Sequence, residues 1–252
     1  MKFRRTLIFA FLVGMLSLGV FGVYAQNIPI PSVSINFGES QNPKDVAFTL
    51  QILFILTILT LAPAIVIMLT SFTRIVIVLA FVRQALATQQ IPPNQVLIAL
   101  SLFLTFFVMS PVIDNINGNA FQPYLKGEMT QAAAFDTSLG YLREFMIKQT
   151  RPNDIALFIH LSRSAQPTVA ADIPNTVLIP AFILSEIKTA FQLGFVIFIP
   201  FLIIDLVVAS TLISMGMLLL PPILISFPFK LLLFIMVDGW HLITRSLVYS
   251  FR

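Results

Sequence analysis

Asp205 and Lys230 carry the clearest chemical possibility in this chain. Both interrupt apolar sequence: residues 189–204 and 206–229 hold no charged side chain. A Gly-containing, Pro-Pro-terminated stretch near Leu218 predicts a bend between two antiparallel helices. Asp205 lies 13 residues before Leu218 and Lys230 lies 12 after it, so both sit ~18–20 Å from the bend, at one level. An ion pair there would neutralise both charges. It would serve as a structural clamp within or between subunits, or as a proton or ion relay if water reaches it; solvent-facing charges are the third reading. Glu186 and Lys188, in LSEIKTAFQ, are two residues apart and do not face each other on a helix. Each needs another partner, which points to subunit contacts. Arg74 is the only charge in residues 46–82 and has no partner within its own helix.

The remaining polar residues do not assemble into an enzyme signature. His160 and His241 are 81 positions apart, outside any metal-ligand spacing, and read as surface or interface histidines. HExxH, Gly-x-Ser-x-Gly and Walker-type glycine patterns are all missing, and there is no cysteine. An aspartyl dyad of Asp205 and Asp238 fails on geometry, because the two lie 13 and 20 residues from the bend. No catalysis, metal or cofactor is expected.

The bend itself is a second candidate site. In ISMGMLLLPP, Met215 and Met217 flank Gly216, and Leu218, Leu219 and Leu220 precede two prolines. Several copies of such an apolar tip around an axis would seal a pore, and the flexible Met side chains would adapt to a passing substrate. A bent transmembrane helix with ordinary apolar filling is the alternative.

The elements that must position these residues follow from composition. The 252 residues are 58% hydrophobic and 10% charged, with a mean hydropathy of +0.94 and no means of covering a water-soluble globule with polar surface. An all-α, membrane-associated chain is expected. The formal charge of +4 is local: Lys2, Arg4 and Arg5 carry three of 15 basic residues, leaving 12 against 11 acids. No basic cluster remains for nucleic acid. Residues 1–25 read as a secretory signal, with a positive start, an apolar run and Ala25 at the end; an uncleaved signal anchor remains open. Residues 26–45 read as an exposed linker. Residues 46–113 form a first apolar helical hairpin with a polar break at 83–94. Its first arm, 37 residues to Val82, is too long for one upright span, so it is tilted, broken near Pro63, or leaves the membrane. Residues 114–174 hold five basic and six acidic side chains and form a short, water-facing amphipathic segment. Residues 175–252 form the second hairpin. Four crossings after a cleaved signal put 83–94 inside and 114–174 outside.

Three long strings carry a family resemblance: MLTSFTRIVIVLAFVRQALATQQIPPNQVLIALSLFLTFFVMSPVID, DIPNTVLIPAFILSEIKTAFQLGFVIFIPFLIIDLVVAS and PFKLLLFIMVDGWHLI. Together they closely resemble FliP, the flagellar type III export-gate family, over about residues 46–250. The resemblance implies a pentameric ring built with FliQ and FliR, acting with FlhA, FlhB and an export ATPase at the bacterial inner membrane, in the basal body. It also implies a periplasm-facing portion and helices that stack largely above the bilayer plane. Unfolded flagellar subunits would pass through the ring. Met217, Leu218 and Leu219 fall where the family places a methionine gasket, with Leu at two of the three positions. A secondary transporter or ion-translocating protein built on Asp205 and Lys230 is the other functional reading. Under the first, a lone copy leaves apolar flanks and unmatched charges that identical neighbours must cover.

Overall fold

The structure is a computed structural model. It describes residues 43–251 apart from 89, 163–166, 168, 170, 171 and 218, and the side chains from residue 49 onward except that of Ala62. The signal sequence expected at 1–25 and nearly all of the linker lie outside the described residues. The chain divides into two compact units, residues 1–55 and 56–252; the packing described below belongs to the second.

The described residues are helical, and no strand occurs among them. In order, the helices are α1 (Pro43–Leu69), α2 (Phe72–Ala85), α3 (Asn94–Ile116), α4 (Gln122–Leu125), α5 (Gln131–Gln149), α6 (Pro152–Ser162), α7 (Asn175–Ser214), α8 (Pro222–Met236) and α9 (Gly239–Tyr249). The first arm of the expected first hairpin is thus two helices, interrupted at Thr70–Ser71, with Pro63 inside the earlier one. Helix begins by Pro43, three residues before the expected start of the first hairpin. The second arm does not end at residue 113: one turn of π-helix at Asn117–Phe121 joins α3 to α4 and carries the helix to Leu125. The wider i→i+5 turn absorbs a register change without breaking the run. The two amphipathic stretches between the hairpins are α5 and α6. Thr130 caps α5, its hydroxyl accepting from the Ala133 amide at 3.3 Å.

Two helices are long and apolar enough to cross a membrane, Asn94–Leu125 with 32 residues and Asn175–Ser214 with 40, and up to four spans result if each of two bent pairs counts as one. At 1.5 Å per residue these two would reach about 48 and 60 Å, well past the ~30 Å hydrocarbon core. Each therefore leans steeply or leaves the bilayer for part of its length. Pro180 and Pro200 lie inside α7. A long membrane helix tolerates such residues where neighbours satisfy the freed backbone carbonyls.

The core forms where α2 packs on α7. Ile75, Val78, Leu79, Val82 and Ala85 recur at helical spacing along one face of α2 and are buried with Ala190 and Phe201 of α7. Gly194 lets the two helices close in: a Cβ there would lie 2.5 Å from the Phe81 ring. A second cluster joins Met146 to Val177, Leu178 and Phe182, with α6 packed beside it. Outside these clusters many large apolar residues face outward. Phe103, Phe106 and Phe107 on α3, and Phe195, Leu206 and Val207 on α7, are exposed. Surface of that kind needs lipid or another chain to cover it.

Candidate functional site

The apolar fold contains a polar centre that begins at Arg74. The guanidinium is 2% exposed and faces Glu186, which is 0% exposed. Nε donates to Glu186 Oε2 at 3.0 Å, and Nη2 contacts Oε1. Nη1 donates to the Ser250 carbonyl at 2.8 Å and to its hydroxyl at 3.1 Å. Nη2 also donates to Gln149 Oε1 at 3.1 Å, and the Phe251 ring lies 3.8 Å from the guanidinium carbon. Gln149 in turn donates to the Phe251 carbonyl at 3.1 Å. One side chain thus holds α2, α7, the end of α5 and the residues after α9. Arginine suits this place because its flat fork serves several acceptors at once and stacks on an aromatic face. Next to it, the Arg151 amide donates to Ser185 Oγ at 3.0 Å, and Lys188 pairs with Asp154, which is buried at the start of α6.

These contacts correct one expectation. Arg74, Glu186 and Lys188 lack partners in their own helices, but their partners lie in the same chain rather than in a neighbouring subunit. Arg74 takes Glu186 and Lys188 takes Asp154. Helix spacing cannot detect such pairs, since their members are 112 and 34 residues apart in sequence. One signal was available: Arg74 and Glu186 are isolated charges of opposite sign in apolar runs. Ser250, Phe251 and Gln149 carried no comparable signal.

Asp205 and Lys230 are brought together at 2.6 Å across α7 and α8. Lys230 is 3% exposed and Asp205 25%. Ser226, one helical turn before Lys230, donates to the other carboxylate oxygen at 2.6 Å. Both carboxylate oxygens are therefore engaged, and the arrangement holds α8 against α7. Asp238 stands apart, exposed at the break between α8 and α9. His160 and His241 are exposed, and no group of three or more metal-ligating side chains occurs among the described residues.

The connection from α7 to α8 is built by its backbone. Gly216 has φ +76°, its amide donates to the Ile213 carbonyl at 3.0 Å, and the Met217 amide donates to the Leu212 carbonyl at 3.0 Å. This is a Schellman ending, in which glycine takes the left-handed position that other residues avoid. Pro222 then opens α8 at a position where its missing N–H costs nothing. Met215 and Met217 are exposed, and Leu219 is 99% exposed. Leu218 lies outside the described residues.

Residues 55–247 match the FliP family. The chain belongs to that family. Relatives named flagellar biosynthetic protein FliP agree over nearly their whole length. The one from Bacillus subtilis is 54% identical over 217 residues, covering 86% of this chain and 98% of the relative. The one from Aquifex aeolicus is 48% identical over 88% of this chain and 92% of its own. The Treponema pallidum relative is 43% identical over 94% and 89%. Arg74, Glu186, the Asp205–Lys230 clamp and the α7–α8 turn all lie inside the matched FliP region.

Proposed function

We propose that this FliP-family chain is a core subunit of the flagellar type III export gate and forms a protein-conducting channel with copies of itself. Flagellar biosynthesis follows from the family, and the apolar helices fit a membrane-associated flagellar location. In this reading the gate lies in the bacterial inner membrane, and residues 114–174 form part of a periplasm-facing portion. FliQ, FliR, FlhA and FlhB are its partners. Residues 1–25 direct export of the amino terminus; amino-terminal sequencing that finds Met1 retained would rule out cleavage.

The observation that carries the channel reading is the α7–α8 turn. Leu219, at 99% exposure, is an apolar side chain that the described residues leave uncovered. Around a common axis, several such tips would meet one another, exclude water and ions, and part around an unfolded polypeptide. The protein makes and breaks no bond in this scheme. Energy for transport comes from other components.

The test is Met217→Ala and Leu219→Ala in the assembled gate, read by small-ion leak and by export of a flagellar subunit. A leak with export retained supports the seal; variants that change neither remove the turn from the mechanism. Against the transporter reading stands the Asp205–Lys230–Ser226 arrangement, in which Lys230 neutralises the carboxylate and each carboxylate oxygen already accepts one hydrogen bond. Proton flux through liposomes containing this protein alone would favour that reading instead.

A further inference from the structure

A cavity of about 530 Å³ lies beside the Asp205–Lys230 pair, lined by α2 and the residues after it, α7 and α8. Arg83 reaches into its wall from the last turn of α2. Among the described residues only its Nη1 is engaged: it donates to the Pro92 carbonyl at 3.3 Å and to Asn94 Oδ1 at 2.6 Å, both neutral acceptors. Among the described residues no carboxylate lies within 4.0 Å of Arg83. Arg74, Lys188 and Lys230 differ from it, since each meets a carboxylate. Lys230 and Asp205 cancel each other in the cavity wall, so Arg83 leaves the cavity with a net positive charge. Gln84 and Thr88 add polar groups, whereas Phe198 and Ile223 give the opposite wall an apolar surface.

We propose that this cavity binds a phosphate-bearing anion, and that the phosphate is the headgroup of a phospholipid. The Arg83 fork keeps donors free for a phosphate, the pairing for which guanidinium geometry is suited. The apolar wall continues onto Ile223 and Leu224 of α8, both exposed, which would take the acyl chain. Arg83 also stands at the polar break before α3, at one end of the span Asn94–Leu125. If that span crosses the bilayer, headgroups lie at that level. A free phosphate would make no use of the apolar wall. The proposal depends on membrane association and not on the channel reading.

The test is native mass spectrometry of the detergent-purified full chain, titrated with phosphatidylglycerol or phosphatidylcholine, with inorganic phosphate as competitor. The expected result is preferential retention of phosphatidylglycerol, weakened roughly tenfold by Arg83→Gln and largely kept by Arg83→Lys. Thr88→Glu places a carboxylate at the cavity, leaves Arg83 in place, and weakens retention similarly; it carries the test if Arg83→Gln fails to fold, as judged by circular dichroism. Equal retention of the two lipids by the wild type overturns the proposal, as does unchanged retention in a folded Arg83→Gln or Thr88→Glu protein. The same holds if Arg83→Gln loses a protein partner while lipid retention is unchanged. Displacement of phosphatidylglycerol by an equal concentration of inorganic phosphate overturns the lipid source.

Discussion

The Arg74 centre and the α7–α8 turn handle costly groups in opposite ways. Arg74 and Glu186 are almost fully buried and are satisfied by the chain that carries them, including its last residues Ser250 and Phe251. The turn leaves Met215 and Met217 exposed and Leu219 almost wholly so. A polar group in an apolar interior is expensive at once, so it must be matched within the subunit as that subunit folds. An apolar tip costs less while exposed and can wait for neighbours. The contrast teaches that what calls for cover from outside the subunit is apolar surface. Arg74, Glu186, Lys188, Asp205 and Lys230 find their partners within the subunit.

The sharpest way to break this contrast is at the centre. Arg74→Ala or Glu186→Ala should each destabilise the detergent-solubilised protein by about 3–5 kcal/mol, because each strands a buried charge. Thermal unfolding, followed through the single Trp240, measures this. Arg74→Lys should recover little, since one ammonium cannot reach Glu186, Gln149 and Ser250 together. Wild-type stability in any of these variants would show that the centre is not closed within one chain.

Effects at the Asp205–Lys230 clamp should be smaller, because the carboxylate is a quarter exposed. Asp205→Asn and Lys230→Gln should each cost about 1–3 kcal/mol, with the double variant costing clearly less than the sum of the two. Simple additivity in a thermal-unfolding cycle would mean the two side chains act independently. A comparable loss, about 1–3 kcal/mol, is expected for Gly194→Val, which forces a larger side chain against Phe81 at the α2–α7 contact. Leu219→Ala should change thermal stability by less than about 0.5 kcal/mol while altering ion leak in the assembled gate. A large stability loss there would place the turn with the centre and erase the contrast.

Much of this was legible in the sequence. Helical class and membrane association follow from composition, and α5 and α6 follow from amphipathic spacing. Counting residues from the expected bend places Asp205 level with Lys230, and Gly216 with Pro221 and Pro222 marks the turn. What stayed hidden has a physical pattern. The break at Thr70–Ser71 contains no glycine or proline, so tertiary packing overrode a continuous apolar run. The π-turn after Ile116 extends a helix that the arriving polar residues seemed to stop. The contacts of Glu186 with Arg74, and of Arg74 with Ser250, join residues far apart in sequence, which no helical period relates.

Single-particle imaging of the detergent-purified assembly tests the central claim most directly. The account predicts a pentameric ring in which the Met215–Leu220 turns converge on the axis, while Arg74 and Glu186 remain paired within each subunit. A monomer, or a ring with those turns on its outer rim, would contradict it.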